Sequence, residues 1–179
     1  MNWDRFDTPL KLARALWSVK AIELPASEFR ELSDRVYQNT NDLETLWQLG
    51  GAINDYLRRF PATVPVPREL PFRLLRSDDQ DARIIALKLL NRSGAPEDQI
   101  LQEIVLAIQR DDDCESVGAF YELNQYLDRR QENDQKIPES FVPQLCRLLE
   151  RASANVDNHP KWRADYAERT LARLETIRS

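Results

Sequence analysis

The stretch Arg76-Ser-Asp-Asp-Gln-Asp-Ala-Arg-Ile-Ile-Ala-Leu-Lys-Leu-Leu-Asn-Arg-Ser-Gly94 decides the fold of this 179-residue chain. An acidic turn opens a run in which Ala82, Ala86 and Leu90 recur at four-residue steps, and Gly94 closes it. Aspartate satisfies free N–H groups at a helix start, and glycine ends helices because it enters left-handed backbone without strain. The spacing predicts a helix over 79–91. Its small residue one turn before a large one lets a neighbouring helix approach closely.

Helical periodicity continues on both sides. Towards the N-terminus, Asp7-Thr8-Pro9 opens a helix with Leu10, Ala13, Leu16 and Trp17 on one stripe, and Ser27-Glu28 opens another through Phe29, Leu32, Val36 and Tyr37. A third carries Leu43, Leu46, Trp47, Ile53, Leu57 and Phe60, interrupted by Gly50 and Gly51. Two central glycines cost about 1 kcal/mol each against alanine, so they mark a kink, a break or a close helix contact. The proline-rich link 61–67, with Pro71 beyond it, cannot continue a helix. It is the candidate sub-boundary within a single domain spanning 1–179, separating a helical segment over 1–60 from hairpins over 68–179.

Past that link, helices are expected over 68–76 and 79–91, and from Ala95-Pro96 with Ile100, Ile104, Val105 and Ile108 inward. Asp112 and Asp113 precede the next, whose stripe is Val117, Phe120, Leu123 and Leu127. The polar segment 129–136 reads as exposed loop. Pro138 starts a helix carrying Phe141, Leu145, Leu148 and Leu149, and Asn158-His159-Pro160 starts the last, with Trp162, Tyr166, Leu171 and Leu174. The fold class expected is all-α, with eight or nine helices as antiparallel neighbours.

Offsetting the chain by 33 residues places Asp78 on Asp111, Asp79 on Asp112, Ala86 on Ala119, Leu87 on Phe120 and Leu90 on Leu123. The first unit resembles a HEAT-type repeat at Asp79, Ala82, Arg83, Ala86 and Leu90. The second departs from that pattern at Glu115 and Ser116, where an apolar residue and an arginine are expected. The resemblance implies hairpins stacked as a short HEAT-like α-solenoid, a fold used mainly to bind proteins and less often nucleic acid or cofactors.

Composition narrows the function. Hydrophobic residues make up 42% and charged residues 31%, which suits a globular chain. The formal charge of -5 argues against nucleic acid, whose recognition rests on basic surfaces, and favours a basic protein as partner. No apolar run approaches a membrane span, and the N-terminus has no secretory pattern, so a cytoplasmic location is expected. Cys114 and Cys146 lie too far apart for a metal or redox motif and read as buried free thiols, with a disulfide as the alternative.

No catalytic, cofactor-binding or metal-ligating set stands out. His159 is the single histidine and supports no triad. Asp111-Asp-Asp-Cys-Glu115 lacks the ligand spacing of a calcium loop, and Gly50-Gly51 lacks the lysine of a phosphate loop. Asp78, Asp79, Asp81, Asp111, Asp112, Asp113 and Glu115 exceed what helix capping needs, and stacking would align their two turns on one edge. They are the candidate partner-binding residues, joined by Tyr121, an exposed anchor of the type that interfaces favour. Arg163, Arg169, Arg173 and Arg178 read as a solvated face with intrahelical pairs. The expected function is a non-enzymatic adaptor or inhibitor. Bacterial immunity proteins and antitoxins, which block basic toxins, are similar in size and charge alone. The alternatives are an enzyme or enzyme subunit on a HEAT-like scaffold, as in the helical-repeat DNA glycosylases, and a structural subunit of an assembly.

Overall fold

The computed structural model describes residues 3–18, 23–61, 64–110, 112–154 and 160–178. Among these the chain is all-α: a 3₁₀ turn at Trp3–Arg5 and nine α-helices, with no strand. They are α1 (Pro9–Leu16), α2 (Ala26–Gln38), α3 (Leu43–Arg59), α4 (Leu70–Leu75), α5 (Gln80–Leu90), α6 (Glu97–Gln109), α7 (Asp113–Glu132), α8 (Val142–Ala154) and α9 (Lys161–Arg178). They gather into two compact units, Met1–Gly94 and Ala95–Ser179. The proline-rich link therefore lies inside the first unit, where Val64 and Val66 are buried.

In the first unit α3 is central, touching α1, α2, α4 and α5. Its glycines explain how. The helix runs unbroken through Gly50 and Gly51, so of the three expectations only close contact is realised. A Cβ on Gly51 would stand 2.4 Å from the Trp17 ring, and one on Gly50 would stand 3.0 Å from both Ile85 and Leu74. Trp17 is held there by its N–H donating to Asp55 at 2.8 Å and by edge packing on Trp47. Phe29 at the start of α2 stacks on Tyr56 near the end of α3, which makes those two helices antiparallel. Trp3, which belongs to no helical stripe in the sequence, is buried and donates its N–H to Glu28. Leu43 and Phe60, expected on the inward stripe, are instead exposed where α3 begins and ends.

In the second unit, Arg110 meets Glu115 at one end of α6 and α7, and Arg130 meets Glu97 at the other. The pair is an antiparallel hairpin. Three sequence expectations fail here for local reasons. Residues Arg129–Glu132 continue α7 instead of forming loop, since Arg130 lies along Tyr126 and reaches across to α6. The last hairpin's first helix begins at Val142, because Pro138–Phe141 forms a separate turn. Cys114 is exposed and Cys146 half-buried, where the sequence predicts burial. His159 lies outside the described residues.

Candidate functional site

The acidic turns come first. Asp79 is the N-cap of α5, its carboxylate accepting from the Ala82 N–H at 3.0 Å. Asp112 is the N-cap of α7, accepting from the Glu115 N–H at 2.9 Å. Each cap satisfies a donor the helix itself cannot, contributing about 1 kcal/mol. The positions that the 33-residue offset equates also share their burial: Ala86 and Ala119, Leu87 and Phe120, and Leu90 and Leu123 are all enclosed.

The remaining acids divide. Asp78 and Asp81 are exposed. Asp113 faces Arg163 of α9 at 3.5 Å, and that arginine is only 3% exposed. Glu115 is fully buried and accepts from Arg110 at 3.0 Å. Asp111 lies outside the described residues. The two turns belong to different units. Within each, capping and internal ion pairs occupy Asp79, Asp112, Asp113 and Glu115, so surface availability is clearest at Asp78 and Asp81.

For Arg163 and Arg173, the geometry gives partners on α7 in place of the intrahelical pairs that the sequence suggests. Arg163 pairs with Asp113, while Arg173 donates to Asn124 at 2.9 Å and to Asp128. Asn124 donates in turn to the Phe120 carbonyl and to Thr170, both at 2.9 Å. Their order shows α7 and α9 running in the same direction, joined by a polar seam. The Arg178 side chain is outside the described residues.

What sequence reasoning misses on α7 is an outward apolar stripe. Cys114, Val117 and Tyr121 recur at helical spacing and are all exposed, Tyr121 at 57% and Val117 at 42%. Val117, expected inward, is thus corrected; the inward register is instead set by Ala119, Phe120, Leu123, Tyr126 and Leu127. Tyr121 precedes Asn124 by three residues, as Tyr166 precedes its partner Thr170 by four. The two exposed tyrosines thus stand at one level of neighbouring helices. Tyr166 also carries Trp162 against it, ring centroids 6.3 Å apart.

Charge is divided unevenly. Residues 1–94 hold 14 Lys and Arg against 13 Asp and Glu, and residues 95–179 hold 11 against 17, net +1 and -6. Among the described residues no three His, Cys, Asp or Glu side chains group as a metal ion requires, and no helix is long and apolar enough to cross a membrane. A cleft of about 410 Å³ in the first unit is lined by Phe6, Asp7, Thr8, Leu12, Arg35 and Asn39. The neighbouring Lys11 ammonium holds the Asp7 carboxyl below the usual carboxylate range. No family model, curated protein or solved structure matches this chain.

Proposed function

We propose that this chain is a non-enzymatic protein–protein interaction module, a small adaptor or inhibitor whose partner is basic. The observation that carries the reading is the exposed Val117–Tyr121 stripe on α7, set in a unit with six more acidic than basic side chains. Exposed aliphatic and aromatic residues supply contact area once water is excluded, and tyrosine is favoured among the few residues that dominate binding energies. A net negative field raises the encounter rate with a positively charged partner. In the first unit, Asp78 and Asp81 are exposed carboxylates as well. An immunity-type blocker of a basic toxin would use such features, and so would an adaptor.

The test is affinity capture from the native extract at low and high salt, followed by direct titration of the recovered partner. Tyr121→Ser with Val117→Ser is expected to weaken binding at least about tenfold, the effect of losing one central anchor. Added salt is expected to slow association more than it speeds dissociation. Full affinity in the double variant, or a partner held equally at all salt concentrations, would overturn the reading.

A further inference from the structure

We propose that the α8–α9 hairpin opens from α6 and α7 as one unit, and that its closure depends on ionic strength. The inference is independent of the functional reading above. It rests on what α9 buries. Its enclosed positions are Arg163, Ala164, Ala167, Thr170 and Leu174, with one large aliphatic among them. By contrast α5 encloses Ile85, Leu87, Leu89 and Leu90. Burial of apolar area is the main favourable term in helix docking, so α9 gains little of it.

Polar contacts replace it. Along the α7 seam, Asp113 meets Arg163, Asn124 meets Thr170, and Arg173 spans Asn124 and Asp128. Arg173 and Asp128 keep about a third and nearly half of their side-chain surfaces in water, 33% and 46%. Water and salt therefore compete for that pair. Within the hairpin, α8 and α9 share the most extensive helix contact of the unit, with Val142, Leu145, Leu149 and Ala152 buried on α8. The links α6 makes to α8 are few. The hairpin therefore meets the rest of the unit chiefly along α7 and α9, and a partly ionic seam confined to one helix pair is a place for local opening before the whole unit unfolds.

Hydrogen–deuterium exchange on the intact chain tests this. Two conditions suffice, about 0.1 M and about 1 M sodium chloride, between which the screening length falls from about 10 Å to about 3 Å. Amides of α8 and α9 are expected to exchange together and faster than those of α6 and α7. The gap should widen about five-fold at high salt, the most that screening one exposed ion pair gives. Arg173→Met, which keeps the aliphatic stem, is expected to widen it at low salt and to blunt the salt response. One common rate for all four helices would overturn the proposal. So would fast exchange of α9 alone, or Arg173→Met accelerating α6 and α7 equally. Were that variant not to fold, the salt comparison on the unaltered chain decides the matter.

Discussion

Two corners of this molecule share a cap and differ in where they keep their arginine. At the first, Arg83 on α5 donates back to the Ser77 carbonyl at 2.8 Å. At the second, the residue equivalent to Ser77 is Arg110, the residue equivalent to Arg83 is Ser116, and the ion pair runs from turn to helix, Arg110 to Glu115. Serine and arginine have exchanged places across the offset. At position 82 the first corner thus encloses an alanine. The second encloses a carboxylate at 115 and a serine hydroxyl at 116 that has no hydrogen-bond partner among the described residues.

The contrast extends to the interiors. Among the described residues, the buried polar side chains of the first unit are the hydroxyls of Ser33, Thr45, Ser77 and Ser93; Ser33 donates to the Phe29 carbonyl of its own helix, and Ser93, just past α5, to the Leu90 carbonyl. The second unit buries Glu115, Glu122 and Arg163 as well. One interior is stabilised by close apolar contact, the other partly by buried charge, whose removal from water must be offset by good partners.

The sharpest way to break this comparison is to overfill the first interior. Gly51→Val is expected to cost about 3 kcal/mol, because the branched side chain displaces a Trp17 ring that Asp55 and Trp47 hold in place. Gly50→Ala, where Ile85 and Leu74 yield by a few tenths of an ångström, should stay within about 1 kcal/mol since helix propensity offsets some of the crowding. Chemical denaturation reads both, and equal effects would refute the assigned contacts.

Next comes the second interior. Arg110→Met should cost about 2 kcal/mol by taking a charge-assisted bond from buried Glu115. Arg83→Met at the first corner should cost about half as much, because the Ser77 carbonyl it bonds is a neutral acceptor and not a buried carboxylate. Comparable losses would mean the exchanged arginines do equivalent jobs.

Caps follow. Asp79→Ala and Asp112→Ala should each cost about 1 kcal/mol, and asparagine at either site should restore most of it. Asparagine variants that lose partner affinity at unchanged stability would instead give these two carboxylates a binding role.

Titration gives the smallest effects at neutral pH. Burial pushes the Tyr126 hydroxyl up to about 12 from the ordinary 10, against the opposing pull of Arg129. The folded state therefore holds that proton more tightly. Its contribution is complete below pH 10 and is lost as pH rises through 12, which tyrosinate absorbance and unfolding curves would follow together. In the first unit, bonds from the Thr45 hydroxyl and N–H hold the Asp42 carboxyl below its usual 3.8. The α3 cap is thus intact above that value and weakens as pH falls through the lowered one.

Much of the fold was legible in the sequence. Capping aspartates, prolines in first turns and 3.6-residue stripes act locally, and they located nearly every helix. The Asp79 and Asp112 caps were also visible because capping needs only the next three residues. Tyr121 could be anticipated as exposed, whereas the outward turn of Val117 could not: the 114–127 run has apolar residues on more than one face, and packing chose among them. The Arg163 and Arg173 pairs were hidden for a different reason. Acidic residues at helical spacing along α9 offer local partners, and only tertiary placement reveals Asp113, Asn124 and Asp128 as nearer ones.

The division of aromatic residues has a practical consequence. Trp3, Trp17 and Trp47 all lie before Gly94, while Trp162 is alone beyond it. Intrinsic indole emission will therefore report chiefly on the N-terminal half of the chain, with Trp162 contributing a minority signal from α9. A fluorescence melt could look cooperative and complete while recording little of what happens at the C-terminal end. Replacing the first three indoles with phenylalanine would turn the fourth into a selective optical probe of that end.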